Sequence, residues 1–515
     1  MKQFLLYLLL LTCGILSGKE VFRCDFTPGE LKKWTLPSQA AQMRESHLNF
    51  VRLTMPEAVN SGTYLTIPFD VSRYRGNFLQ VSCRLRAIEV SKPGAYFNGV
   101  KFMLHLNEDS RPTWKQITRV WGTFDWRPIS FGFPVSNSMS GGEIQLGLQE
   151  SSGSVDFADL RVEVLEMTEV YPPVAKLPVG FRAEYTSRVT SIPRLRGAMS
   201  PTSYRKGDLD VLASWGANLV RWQMNSWGHV KSNQDLAEFD RWLDKELDNV
   251  ELVLADCERL GMKVALDLHS PPGDRLEDHD IAMCHNPEYA QAFIDAWKKI
   301  ATRFKGRTSA FYGYNLVNEP TQMRKSTINY LELQYKAALA IREIDPDVPI
   351  IIESNNSASP ETFSYLTPLP LKNVIYQTHM YLPGTYSHQG IVGQSSGEPS
   401  VYPGIINGVE YNRKALCKLL EPVRRFQLKY GARIYVGEFA AVRWAEGADR
   451  YFADLISIFE EYGWDWSYHA FRESKTWDVE YQGGSHGKGE VKATVPTARL
   501  KVLQEGFRRN RSGQE

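Results

Sequence analysis

No charge of one sign dominates this chain: 60 Lys and Arg face 59 Asp and Glu in 515 residues, a formal net charge of +1. That removes the basic field with which a protein holds nucleic acid or an anionic membrane. Cysteine is scarce as well. There are six, Cys13, Cys24, Cys83, Cys257, Cys284 and Cys417, with no Cys-x-x-Cys pair, which argues against a structural zinc knuckle. No heptad run supports a coiled coil. Beyond the first residues, no apolar stretch approaches the roughly 20 residues of a membrane-spanning helix. Aromatic residues are plentiful: 12% of the chain, with 13 Trp and 24 Tyr. That suits a large core and equally a surface for flat, weakly polar ligands.

Met1-Lys2-Gln3 leads into an apolar run over residues 4–16 and then Ser17-Gly18. This is the pattern of an export leader, residues 1–18, and predicts a secreted, periplasmic or cell-surface protein. A lipoprotein through Cys13 is the alternative, but Thr12 is a poor residue before a lipidated cysteine. Without the leader five cysteines remain, so at least one is free; Cys24 and Cys83 share a domain and have the option of pairing.

Residues 19–170 carry short alternating runs at 48–53, 78–85, 100–106, 144–148 and 158–164, separated by turn residues. They predict an all-β sandwich or jelly roll. Residues 171–178, Tyr-Pro-Pro-Val-Ala-Lys-Leu-Pro, read as a stiff linker, because proline cannot pair regularly. From 179 to 509 the pattern changes. Short apolar strands at 194–199, 217–223, 263–268, 311–317, 349–353, 374–379, 434–436 and 464–471 alternate with amphipathic runs at 240–260, 287–304, 328–344, 413–430 and 448–462. The expectation is an α/β fold, a (β/α)8 TIM barrel, followed by a tail at 510–515. A doubly wound sheet would carry a Gly-rich phosphate turn after its first strand; here Ser200-Pro201-Thr202-Ser203 follows.

Catalytic groups of a barrel sit at the C-terminal ends of its strands. Those ends read Arg221, His269, Asn318-Glu319, His379 with Tyr381, Glu438 and Trp466. Glu319 and Glu438 close strands four and seven, which face each other across a barrel mouth. Two carboxylates so placed suit glycosidic bond cleavage, one as proton donor and the other as ionised nucleophile. Arg221 would hold Glu438 ionised, and a desolvated place would keep Glu319 protonated. Blander readings exist for each. Asn318-Glu319-Pro320 is also a helix start, Glu438 a loop charge, Arg221 a wall ion pair, and Asp267 with His269 a structural pair. His269, His279, Cys284 and His285 match no compact metal motif, and no metal or cofactor is expected.

Asn318-Glu319-Pro320, His379-Met380-Tyr381 and Gly437-Glu438-Phe439, with Asn218-Leu219-Val220-Arg221 and Leu266-Asp267-Leu268-His269, resemble glycoside hydrolase family 5, the cellulase family of clan A. The resemblance covers most of residues 180–508. It implies Glu319 as acid/base and Glu438 as nucleophile. Asn318 would contact the sugar 2-hydroxyl, His379 and Tyr381 would orient the carboxylates, Arg221 would brace the nucleophile, and His269 would contact glycone hydroxyls. Trp466 fits the aromatic platform after strand eight, with Trp464 and Trp477 as alternatives. Residues 153–162 resemble in pattern the last strand pair of jelly-roll carbohydrate-binding modules. The reading is a monomeric retaining hydrolase of a β-linked polysaccharide or oligosaccharide, with a β-1,4-glucan cut internally as first choice of substrate and a β-mannan next. The rivals are an exo-acting β-glucosidase and a non-catalytic carbohydrate-binding protein. A metal-dependent hydrolase would show His-x-His on strand one, which reads Arg194-Leu195-Arg196-Gly197-Ala198-Met199. Trp114, Trp121 and Trp126 either form a sugar-stacking face or fill the sandwich core.

Overall fold

The computed structural model describes residues 18–108, 111–276, 279–307, 309–391 and 399–510. Residues 1–17, all but the last of the expected export leader 1–18 and with it Cys13, and residues 511–515 lie outside the described residues. The chain divides into two compact units, Met1–Pro93 with Gly99–Glu169, and Gly94–Asn98 with Val170–Glu515. Tyr171, the first residue of the Pro-rich stretch, belongs to the second. Its hydroxyl donates to the Gln322 carbonyl at 2.8 Å and its ring stacks on Tyr365 at 4.7 Å. The expected linker thus begins as an anchor.

The first unit holds two antiparallel sheets. One contains Ala40–Glu45, Leu48–Met55, Gly153–Leu165, Phe78–Val90 and Gly122–Pro134 in that order, with Lys19–Cys24 also on Gly153–Leu165. The other runs Thr63–Pro68, Met139–Gln149, Gly99–Glu108, Arg111–Gln116. Alternate residues of both, among them Leu53, Val81, Leu85, Phe102, Leu104, Leu146, Phe157 and Val162, pack into one core. Cys24 and Cys83 belong to that core as free thiols, and no disulfide joins them. Of the tryptophans, Trp121 packs against the core. Trp126 lies under the Arg86 guanidinium at 4.6 Å, and half-exposed Trp114 stacks on His105 at 5.0 Å.

The second unit is a closed parallel barrel. Its strands are β1 (Arg196–Met199), β2 (Leu219–Gln223), β3 (Lys263–Asp267), β4 (Phe311–Asn315), β5 (Ile350–Glu353), β6 (Val374–Met380), β7 (Arg433–Phe439) and β8 (Asp465–Tyr468). Each overlaps a strand expected from the sequence, because helices bury its outer face and the barrel interior its inner one, so that most of these strands read as short, largely apolar runs. The helices carry their own signals. Asp235 caps Leu236–Leu260 by accepting from Glu238 N–H, and Gly261 ends it at φ +69°, a left-handed conformation that glycine adopts without cost. Asn286 caps Pro287–Phe304, which starts on proline.

The N-terminal end of the barrel is tied by one buried carboxylate. Asp465 accepts from the Leu195 N–H, the Tyr312 hydroxyl and Arg433 Nε, each at 2.7 Å. Asp465→Ala leaves the Arg433 guanidinium with backbone carbonyls but no carboxylate and should cost about 3–5 kcal/mol, read as a lower urea midpoint. The site lies at the other end, so activity per folded molecule should persist.

Candidate active site

Period-two alternation builds the site in layers. Leu219, Ala265, Ile351, Ile375 and Tyr435 fill the barrel interior. Two residues further along their strands, inward positions turn polar: Arg221, Asp267, Glu353 and Gln377, joined by Asn315 of β4, all buried. The pairing of β6 with β7 shifts between Thr378 and His379, so that His379 faces Glu438 across a bulge at Gly437. A Cβ on Gly437 would lie 2.2 Å from Gln377 Nε2, so glycine is what lets the strand turn Glu438 inward.

Arg221 is the centre of this layer. Nη1 donates to Glu438 Oε1 at 2.5 Å, Nη2 to Glu353 Oε1 at 3.0 Å and Asn318 Oδ1 at 2.9 Å, and Nε to Asn315 Oδ1 at 3.0 Å. Asp267 Oδ2 lies 3.1 Å from Nη2. Burial opposes the guanidinium charge, but Asp267, Glu438 and Glu353 outweigh it and raise the pKa. Tyr381 donates to Glu438 Oε2 at 2.6 Å. Burial pushes the Glu438 pKa up; His379, His469 and Arg221 overcome that and hold it well below the usual carboxylate range.

Glu319 stands opposite, its side chain 28% exposed against 5% for Glu438. His379 Nδ1 is 3.0 Å from Glu319 Oε1 and 3.7 Å from Glu438 Oε2. The expectation that desolvation keeps Glu319 protonated meets a correction. Burial does raise its pKa, but the hydrogen bond and charge of His379 lower it further, below the ordinary value. Burial lowers the pKa of His379 itself, while Glu438, Glu353 and Glu319 raise it to about 9. The Gln377 amide donates to Glu353 Oε1 at 2.6 Å and presents the same nitrogen to His379 Nε2 at 3.0 Å. That arrangement places the imidazole proton on Nδ1, toward Glu319; a second proton at Nε2 requires the amide to turn its oxygen there.

The backbone of Glu319 is strained, with φ +49° in a region that costs a side-chain-bearing residue about 1–3 kcal/mol. It is gripped on both sides: its N–H donates to Glu353 Oε2 at 2.7 Å and its carbonyl accepts from Arg275 Nη2 at 2.7 Å. His269 Nδ1 is 2.9 Å from Asp267 Oδ2, and Asn318 Nδ2 is 3.4 Å from His269 Nε2. Trp227, 71% exposed, stands edge-on to His269 at 6.1 Å.

Glu319, Glu438, Arg221, His269, Asn318, His379 and Tyr381 therefore converge at one barrel mouth. Trp466 does not. Asp465 and Ser467 point inward, so Trp466 points out to the helices, where its ring stacks on Phe507 at 5.3 Å and its Nε1 donates to Glu460 at 2.8 Å. Trp464 is likewise buried, donating to Gln427 at 2.6 Å. The tryptophan beside the carboxylates is half-buried Trp477, with its ring 6.3 Å from Tyr381, 4.9 Å from His388 and 5.4 Å from His469. His469 pairs with Glu473 at 2.8 Å. Neither of that pair, nor Glu353, stands out in the sequence. Glu353 had a signal all the same: it lies two residues beyond Ile351 on the inward face of β5.

Glu319, His379 and Glu438 also bring ligand-type atoms within 4.8 Å of one another. Both oxygens of Glu438 already accept, from Arg221 and Tyr381, and Nδ1 of His379 is directed at Glu319. A cation here would have to displace a buried guanidinium, so the donor set fits a proton-transfer site better than a metal site.

The family model described as Cellulase (glycosyl hydrolase family 5) matches residues 186–474, more than half of the chain. The chain belongs to this family. It is an O-glycosyl hydrolase, and the matched residues lie in its second unit. Endoglucanase C of Acetivibrio thermocellus is 26% identical over 290 residues, 51% of this chain and 82% of the relative. Cellodextrinase A of Ruminococcus flavefaciens is 24% identical over 266 residues, 50% of this chain and 76% of the relative. A crystal structure described as a glycoside hydrolase covers 61% of this chain and 99% of its own, at 25% identity and a TM-score of 0.50. Among the described residues no helix is long and apolar enough to cross a membrane.

Proposed function

We propose that this family 5 hydrolase cleaves β-linked polysaccharide internally with net retention, a β-1,4-glucan before other substrates, using Glu438 as nucleophile and Glu319 as acid/base. The observation that carries the reading is the pairing of two unlike carboxylates. One is ionised under Arg221 and Tyr381; the other is partly exposed and shares a proton-carrying contact with His379. One oxygen of each lies within 4.8 Å of one of the other's, an approach that suits the short carboxylate spacing, roughly 5–5.5 Å, of retaining enzymes. The names of the relatives, an endoglucanase and a cellodextrinase, support a glucan.

In the first step a Glu438 oxygen bonds to the anomeric carbon, the glycosidic C–O bond breaks, and the proton held between His379 Nδ1 and Glu319 passes through the Glu319 carboxyl to the leaving oxygen. In the second, Glu319 takes a proton from water, whose oxygen attacks the same carbon and releases Glu438. Proton NMR of the first-formed product tests this: retained configuration is expected, and an inverted anomer would overturn it. A panel of glucan, mannan, xylan and aryl β-glycosides tests the substrate, with glucan expected to be turned over fastest.

The depressed Glu438 pKa sets a pH dependence. A lowered carboxylate stays ionised as pH falls, so the acid limb of kcat/KM on an activated aryl glycoside should lie below about pH 4. The stability Glu438 contributes is likewise present above its unfolded pKa of about 4.3 and lost only as pH falls through the lower folded value.

A further inference from the structure

Glu353, at the end of β5, is fully buried beneath the two carboxylates and has no role in the mechanism above. Four donors converge on it. Arg221 Nη2 (3.0 Å), Asn315 Nδ2 (2.9 Å) and Gln377 Nε2 (2.6 Å) reach Oε1, and the main-chain N–H of Glu319 (2.7 Å) reaches Oε2. We propose that Glu353 is a positioning residue: one carboxylate holds both the left-handed backbone of Glu319 and the arginine that holds Glu438, and so sets the spacing of the catalytic pair. The proposal rests on the roles given to Glu319 and Glu438 above.

The chemistry of the site explains why a carboxylate is needed. An ionised carboxylate is acceptor only, with lone pairs enough for four donors, whereas glutamine would turn an NH2 group toward donors and an apolar side chain would leave all four unpaired. Its two oxygens also divide the work. Oε1 faces the Arg221 and Gln377 side, which leads on to Glu438 and His379. Oε2 accepts from the backbone N–H of the acid/base and lies 3.7 Å from His379 Nε2. Loss of the second contact frees the strained φ of Glu319, and with it the direction of its side chain, while Arg221 keeps its bond to Glu438. The damage should therefore fall on proton delivery.

Leaving-group dependence reads this out, because a poor leaving group needs the proton and a good one hardly does. With phenyl β-cellobioside, Glu353→Gln should lose about 100-fold in kcat/KM. With 2,4-dinitrophenyl β-cellobioside the loss should stay below about 10-fold, and KM should barely move. Glu353→Asp, which keeps the charge but withdraws from the Glu319 N–H, should show the same selectivity in milder form. Glu319→Gln is the control. If it shows no such selectivity, the acid/base assignment itself falls. If it does, yet the Glu353 variants lose both substrates equally or lose neither, the positioning role is overturned. Failure of both variants to fold would overturn it too, since Glu353 would then serve the barrel and not the spacing.

Discussion

Glu438→Gln should lower kcat by at least about ten-thousandfold on every glycoside, activated or not. Glutamine keeps the size of the side chain and one accepting oxygen for Arg221, and its NH2 can donate to the Tyr381 oxygen in turn, so the barrel should still fold. It supplies no anionic oxygen to bond to the anomeric carbon, and neither step of the displacement can start. Glu319→Gln should fail differently. With a dinitrophenyl leaving group the first step needs no proton, so kcat/KM is spared. The second step still needs a base for water, so the glycosyl-enzyme accumulates and kcat falls. Azide, which needs no base, should restore kcat and give a glycosyl azide of retained configuration. An activated fluoro-sugar should label Glu438 in the intact protein and nothing in the Glu438→Gln variant, as intact mass will show. Equal loss on both substrates in the two variants, or a label on Glu319, would overturn these assignments.

Arg221→Met should be the most damaging change to stability and to the acid limb together. Arg221 is the cation to which Glu438, Glu353 and Asp267 all approach within about 3 Å, and none of the four side chains is more than 5% exposed. Removing it leaves three carboxylates buried side by side. The expected cost is about 3–5 kcal/mol, a fall in Tm of roughly 10 °C. Part of that cost can be avoided by taking up a proton, so the Glu438 pKa should rise and carry the acid limb of kcat/KM upward with it. Thermal melts at pH 5 and pH 7 separate the two effects. With carboxylates left unpaired, the variant should recover stability as pH falls from about 7 to about 5, an interval over which Glu438 of the parent protein stays ionised and adds no pH dependence. A Tm lowered equally at both pH values would mean that Arg221 acts through packing alone.

Much of the architecture was legible because its signal is local. Continuous apolar strands against amphipathic helices mark a barrel, and short alternating runs with turn residues mark a sandwich; both patterns are written in neighbouring residues. The residue after an apolar run is also the residue at a strand's C-terminal end. That is why Arg221, His269, Asn318, Glu319, His379, Tyr381 and Glu438 could be singled out from a one-dimensional string.

Tertiary structure alone decided the rest. Trp466 faces the helices by parity, one place along β8 from an inward serine, and only the closed barrel shows which parity is inward; Trp477 lies on the loop beyond β8, and its place beside Tyr381 is a matter of loop path. The inward turn of Glu438 depends on a one-residue register shift at Gly437, which no local pattern announces. Cys24 and Cys83 share a core without bonding, because spacing in sequence carries no Cα separation. The protonation of Glu319 is a long-range property of the same kind. The imidazole of His379, 60 residues away, lowers its pKa, and the same imidazole, followed by His469 and Arg221, lowers that of Glu438 against burial. Sequence composition and periodicity determined which side chains reach the barrel mouth. How many carboxylates surround one arginine there, and therefore which of them stays charged, is a sum over distances that exists only once the strands have closed.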